Sequence, residues 1–199
     1  MTESPSPFVT IMIPTRKRTA KLLRTLDQLG KTASSDDYEV IIMIDDDDQE
    51  SLSVKQELES HPNTRVILGP RLGYAMLDRG YYKRMEEESK SPWVWIAGDD
   101  MLVEGDWLGQ LRTVPKTGFL VQPEVSKLGG STYEKAEAQA FPIFPRFCWK
   151  AFSDEFPKPF DTVGHEILRK NGWKTFFLNN VTMWHDRPPE HEIVEHRKM

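Results

Sequence analysis

Two clusters of neighbouring carboxylates are the residues most suited to chemistry. Asp99-Asp100 follows Trp93-Val94-Trp95-Ile96-Ala97-Gly98, and Asp45-Asp46-Asp47-Asp48 follows Tyr38-Glu39-Val40-Ile41-Ile42-Met43-Ile44. In each case a strand-forming apolar run ends in acids. Aspartate is a poor strand residue and costly to bury unpaired, so adjacent carboxylates at such a place need a cation or a donor network. Hard oxygen ligands suit Mn2+ or Mg2+, especially where phosphate oxygens complete the shell. Two acidic strand ends thus suggest a metal and a nucleotide sharing one crevice, which points to an enzyme.

The elements that position these acids are legible in outline. Phe8 to Ile13 reads as a buried strand stopped by Pro14, and Leu22, Leu23, Leu26 and Leu29 recur at helical spacing before Gly30. After the Tyr38–Ile44 strand, Ser53 with Gln56 predicts a capping box opening a short helix that carries Leu58 inward. Arg65–Leu68 is a third strand ended by Gly69-Pro70, and Tyr74, Leu77, Tyr81 and Met85 form one helical stripe before the Trp93–Ala97 strand. Alternating strands and helices, with nearly continuous apolar strands, predict an α/β fold: a mostly parallel central sheet covered by helices on both faces. Ligands of such sheets lie outside the carboxyl ends of the strands, where Pro14-Thr15, Asp45-Asp46 and Asp99-Asp100 all fall.

Beyond Gly118 the pattern loosens. Phe119–Val121 predicts a short strand, and Gln122–Pro159, rich in Pro, Gly and aromatics, an irregular arm over the active face. The prolines of Phe141-Pro142-Ile143-Phe144-Pro145 argue against a helix or a central strand there. Tyr133, Phe141, Phe144, Phe147 and Trp149 are either core or a stacking surface for an acceptor. Asp161–Asn171 reads as a helix ended by Gly172, Trp173–Leu178 as a strand, and Pro188–Met199 as a polar tail.

The bulk numbers fit a soluble globular chain: 199 residues, 38% hydrophobic and 29% charged. No run is long enough to span a bilayer, and the N-terminus lacks signal-peptide character, so a cytoplasmic setting is expected. One cysteine, Cys148, excludes an internal disulfide and reads as a packed thiol. A net charge of −5 argues against a general nucleic-acid coat. Within the basic segment Arg16, Lys17, Arg18, Lys21, Arg24 and Lys31, the residues nearest the strand end, Arg16 to Arg18, are candidates for anion contact, the rest for a solvated face.

Taken together, these segments resemble the GT-A glycosyltransferases, in particular family-2-like members that use nucleotide-sugar donors. The resemblance rests on Phe8–Thr15 with its terminal Pro-Thr, Tyr38–Asp46 with its paired aspartates, and Arg71-Leu72-Gly73. It extends to Gly98-Asp99-Asp100-Met101 with Gly105-Asp106-Trp107-Leu108, to Asp161 with Gly172 eleven residues on, and to Trp184-His185-Asp186-Arg187-Pro188. It covers roughly residues 8–112 and 160–188, and implies one GT-A-like domain over 1–199. Its nucleotide-sugar half would span about 8–112, its acceptor half about 113–188, and its tail 189–199. Two features depart from the pattern: Gly98 stands where many members carry another aspartate, and Phe160 replaces the glutamate that usually precedes the base.

The resemblance implies a metal-dependent, inverting hexosyltransferase. Asp100 would hold Mn2+ or Mg2+ with His185, and Asp99 would bind the donor ribose or metal-bound water. Pro14, Thr15, Arg16, Asp46 and Arg71 would line the nucleotide pocket, and Asp161 would be the general base, with Glu166 one turn on as substitute. The donor expected is a nucleoside-diphosphate sugar, UDP-linked first; the acceptor is a glycan or a modified base in DNA, and oligomeric state is undetermined. Each residue has a plainer alternative. Asp99 or Asp100 would cap a following helix, the Asp45–Asp48 run would be a loop mostly facing water, and Arg71 would form a surface salt bridge. His185 would be structural and Asp161 an N-cap. Competing functions are a non-catalytic nucleotide-sugar-binding scaffold and a nucleotidyltransferase, the latter disfavoured because Pro14-Thr15-Arg16-Lys17-Arg18 has no glycine. An EF-hand is excluded, since the aspartate run lacks alternating ligands and a central glycine.

Overall fold

The computed structural model describes residues 6–73, 76–115, 117, 119–127, 141–149 and 167–185. Strand β1 (Val9–Thr15) leads through helix α1 (Thr19–Thr32) to β2 (Tyr38–Asp45), and helices α2 (Gln49–Ser53) and α3 (Lys55–Ser60) lead to β3 (Thr64–Gly69). A π-helical segment, Leu77–Tyr82, runs into α4 (Lys83–Glu88), followed by β4 (Trp93–Ile96), β5 (Met101–Glu104) and α5 (Trp107–Arg112). Strands β6 (Phe119–Lys127), β7 (Ile143–Pro145) and β8 (Lys174–His185) complete the described elements. They form one 8-stranded sheet in the order β3-β2-β1-β4-β7-β6-β8-β5. The first four of these are parallel, as are β6 and β8, whereas β7 and β5 run antiparallel to their neighbours.

Both faces of β1, β2 and β4 are buried, which is why these strands read as nearly unbroken apolar runs. Val9, Ile11, Ile13, Val40, Ile42, Ile44, Trp93 and Trp95 face one core with Leu22, Leu26 and Leu29 of α1. The alternate residues Met12, Ile41, Met43, Val94 and Ile96 face the other with Tyr81, Tyr82 and Met85. Trp107, fully buried, lies edge-on to Tyr38 with ring centroids 5.4 Å apart, and its indole N–H donates to the Leu29 carbonyl at 3.2 Å. That contact ties α5 and α1 to one face of the sheet.

Four expectations are corrected. Strand β1 passes through Pro14 and ends at Thr15. The Met12 carbonyl accepts from Ala97 N at 3.0 Å, so the backbone edge of Pro14, two residues on, points the same way, past the end of β4. No ladder donor is needed there. Ser53 does not open a helix: Asp48 caps α2, accepting from Ser51 N, and Val54 precedes α3, while Leu58 is buried as expected. Proline does not keep Ile143–Pro145 out of the sheet centre, because the backbone groups facing β4 belong to Pro142, Phe144 and Arg146. Ile96 N donates to Pro142 O at 3.1 Å and Arg146 N to Pro92 O at 2.8 Å, so Pro145 turns its missing N–H away from β4. Finally, β6 is longer than expected, running to Lys127 beside β8.

Of the aromatics assigned to the arm, Phe144 and Trp149 are core and stack at 6.0 Å. Phe147 is 57% exposed and lies 6.0 Å from Trp173. Tyr133, most of the Asp161–Asn171 helix and the Pro188–Met199 tail lie outside the described residues. The helix end at Ile167–Lys170 is seen, closed by Gly172 in the left-handed region at φ 85° with Trp173 N donating to Leu168 O at 3.0 Å.

Candidate functional site

The carboxyl ends of β1, β2 and β4 converge, as parallel strands in register dictate. Asp99 and Asp100 occupy the turn from β4 into β5 and are only 5% and 7% exposed. A strand, not a helix, follows them, so neither is a helix cap. The Thr15 hydroxyl donates to Asp99 Oδ2 at 2.8 Å. One guanidinium spans the pair: Arg18 Nη1 donates to Asp99 Oδ1 at 2.7 Å and Nη2 to Asp100 Oδ2 at 2.9 Å. From below, the Thr25 hydroxyl of α1 engages the carbonyls of Asp99 at 3.2 Å and Met101 at 2.8 Å, fixing the turn on the helix.

Burial pushes the Asp99 carboxyl up to about 6, with the Asp100 charge adding to the rise and the Arg18 charge and Thr15 hydrogen bond opposing it. Gly98 has a steric reason. A Cβ there would lie 2.9 Å from Asp100 Oδ1 and 2.9 Å from the Phe141 ring, so a side chain at this position would displace the carboxylate.

The second acidic end divides into buried and exposed members, and the expectation that the run mostly faces water is corrected. Asp45, 2% exposed, accepts from Arg16 Nη1 at 2.9 Å and from the Tyr81 hydroxyl at 2.6 Å. Tyr81 in turn accepts from Leu72 N at 2.9 Å, which fastens the Arg71-Leu72-Gly73 segment to the end of β2. Asp48 is fully buried and accepts from Ser51 N, the Ser51 hydroxyl and Lys17 N. Asp46 and Asp47 are exposed on the rim. The Arg16 hydrogen bond, helped by the charges of Arg16 and Arg71, holds the Asp47 carboxyl below its usual range. Asp46 donates its backbone N–H to Gly69 O at 2.8 Å, which leaves its carboxylate on the solvent side of the crevice.

Pro14, Thr15, Arg16, Asp46, Arg71, Asp99 and Asp100 therefore occur at one rim, on the ends of β1, β2 and β4 and the segment after β3. The backbone of His185 is placed there too, paired with Met101, the residue after Asp100. Asp161 and Glu166 lie outside the described residues. Sequence reasoning grouped Arg18 with anion contacts but did not foresee its two aspartate partners, and it read Tyr81 only as a helical stripe. The adjacency of Tyr81 to Asp45 spans 36 positions in sequence and carries no local signal.

The carboxylates of Asp99 and Asp100 fit a hard divalent cation, since their oxygens already hold a cationic group between them. Among the described residues no cluster of three or more His, Cys, Asp or Glu side chains forms a full shell.

The mixed, mostly parallel sheet with its flanking helices is a GT-A fold, shared with known glycosyltransferase structures. The fold is similar to a mannosyltransferase, PcManGT from Pyrobaculum calidifontis, in complex with GDP-Man and Mn2+, at TM-score 0.70 and 18% identity over 98% of this chain and 61% of that one. It is also similar to S. aureus TarS 1-349 in complex with UDP, at TM-score 0.69 and 11% identity over 95% of this chain and 63% of that one. A TarS 1-349 complex with UDP-GlcNAc gives TM-score 0.70 at 11% identity, over 92% and 60% of the two chains. The chain thus spans about three fifths of the length of these proteins. No curated protein sequence matches it. Residues 5–132 match the sequence profile of glycosyltransferase-like family 2, and the chain belongs to that family.

Proposed function

We propose that the chain is a metal-dependent, inverting glycosyltransferase that moves a sugar from a nucleoside-diphosphate sugar to an acceptor hydroxyl. The observation that carries this reading is the convergence of Asp99 and Asp100 with Thr15, Arg16 and Asp46 at one sheet rim, in a chain of this family. Asp46 accepts from the base or ribose of the nucleotide, and Arg71 contacts base or phosphate. Asp99 takes ribose hydroxyls or metal-bound water, and Asp100 holds Mn2+ or Mg2+ with His185. The bound metal supplies charge neutralisation of the leaving diphosphate. Asp161 removes the acceptor proton as the hydroxyl attacks the anomeric carbon opposite the leaving group, which gives inversion; Glu166 is the substitute base. The acceptor is a glycan or a modified base in DNA.

A thermal-shift panel of UDP, GDP, CMP and dTDP, with and without Mn2+, on wild type and Asp100→Ala tests the donor assignment. A ligand at 100 times its Kd adds about 2.7 kcal/mol, about 2–4 °C for a chain of this size. A Mn2+-dependent shift for one nucleotide, lost in the variant, supports the reading and names the donor class. No shift for any nucleotide, with the protein folded, overturns it.

A further inference from the structure

The basic turn between β1 and α1 places two arginines on opposite sides of the crevice. Lys17 sits in the left-handed region at φ 53°, which sends Arg16 toward Asp45 and Asp47 and Arg18 toward Asp99 and Asp100. Arg18 is also the residue that precedes α1, whose first turn contains no acid. A guanidinium at the positive end of a helix is unfavourable by itself, and the two carboxylates are what compensate it.

The oxygens that Arg18 engages are the ones a divalent cation needs. Asp99 Oδ1 and Asp100 Oδ2 hold Nη1 and Nη2 at 2.7 and 2.9 Å, while Asp99 Oδ2 is taken by the Thr15 hydroxyl at 2.8 Å. A cation arriving alone has two routes. It either displaces the guanidinium from both carboxylates, beside a helix N-terminus, or it binds next to a positive charge. Both weaken it. A diphosphate changes this balance, because its oxygens give the displaced guanidinium anionic, bidentate partners of the kind arginine favours.

We infer that Arg18 is the resident counter-cation of the Asp99–Asp100 pair and makes divalent-metal binding depend on a nucleoside diphosphate. Resting on the transferase reading above, Arg18 is a positioning residue for the donor. It keeps the two carboxylates apart from a lone ion and swings to the diphosphate as the metal takes Asp100. Coupling of this kind is reciprocal, so the metal strengthens diphosphate binding by the same factor.

The test is a titration of Mn2+ alone, read by the electron paramagnetic resonance signal of the free ion, with no nucleotide present. Wild type, Arg18→Met, Arg18→Gln and Arg18→Lys are compared, each checked for folding by its melting transition. Removing the neighbouring positive charge should tighten Mn2+ binding about tenfold or more in Arg18→Met and Arg18→Gln. Arg18→Lys, which keeps the charge, should stay within about threefold of wild type. Adding Asp100→Asn to Arg18→Met should abolish the gain. Folded neutral variants that bind Mn2+ no more tightly than wild type overturn the inference, as does a gain that survives Asp100→Asn. Arg18→Gln retains hydrogen-bond donors for both carboxylates, so it decides the matter should Arg18→Met not fold. A negative result here, beside a nucleotide-dependent shift in the thermal panel, removes this role for Arg18 and leaves the transferase reading standing.

Discussion

The backbone N–H of Lys17 donates to Asp48 Oδ2 at 2.9 Å and to the Ser51 hydroxyl at 3.3 Å, which joins the turn after β1 to the cap and first turn of α2. Lys17 adopts φ 53°, a conformation that a non-glycine residue holds only when its surroundings enforce it. The enforcing group is a fully buried carboxylate that also takes the Ser51 hydroxyl. The arrangement of Arg16 and Arg18 about the crevice therefore depends on Asp48.

Asp48→Ala should lose about 2–4 kcal/mol by denaturant unfolding, since a cap and a buried donor pair disappear together. Burial pushes the Asp48 carboxyl up, but the Ser51 hydroxyl and the N–H groups of Lys17 and Ser51 outweigh it and hold it below its ordinary value. A depressed carboxyl contributes stability that is present above its unfolded value and is lost as pH falls through the folded one. Wild type should accordingly lose stability below about pH 4 more steeply than Asp48→Asn. Parallel acid-unfolding curves for the two proteins would contradict this.

Asp99 has the opposite sign. Its carboxyl is raised by burial to about 6, so the folded chain holds that proton more tightly than the unfolded chain does. The associated stability is complete at low pH and declines as pH rises from the ordinary carboxylate value to about 6. Protons would compete with the proposed metal for this site. Mn2+ affinity should be level above pH 7 and fall toward about tenfold per unit below 6. An affinity unchanged between pH 7.5 and 5 would show that Asp99 is ionised throughout and is not part of the cation's environment.

Tyr81→Phe removes the hydroxyl that links Asp45 to Leu72 N. The buried Asp45 then loses a donor, at a cost of about 1–3 kcal/mol, and the Arg71 segment loses its anchor. Nucleotide affinity should fall along with stability. A variant of full stability and unchanged nucleotide shift would remove Tyr81 from the site's supports.

Gly105 lies at φ 88°, and a Cβ added there would collide with the Asn180 carbonyl of β8. Gly105→Ala should cost at least about 2 kcal/mol through strain and displacement of β8 from β5. Since β8 carries His185 to Met101, metal binding should weaken as well, measurable in the same Mn2+ titration.

Cys148 is buried, and that burial pushes its thiol up to about 12. The native protein should resist thiol reagents at pH 8 and react only on unfolding. Fast labelling of the native chain would place Cys148 on an accessible surface instead.

The amino-acid order by itself determined the parallel half of the sheet and the rim on which the site lies. The apolar runs of β1, β2 and β4 are buried on both faces, so their pattern is strong and local. Each ends in the residues that matter, because a strand's carboxyl end is fixed by where its apolar run stops. Legibility failed where the deciding groups are distant in sequence. Ile143–Pro145 enters the sheet despite Pro145 because alternate backbone groups, not every one, face β4, and Pro145 is turned away from it. Ser53 loses the cap of α2 to Asp48, whose side chain is recruited by Lys17, 31 positions away. Four consecutive aspartates look alike in sequence, yet Asp45 and Asp48 are buried while Asp46 and Asp47 are exposed. Only the tertiary structure made that division, and only it set Arg18 across Asp99 and Asp100. Charge pairing is short-ranged in a screened solvent, so which cation meets which carboxylate is settled by where the packed elements bring them, not by their order along the chain.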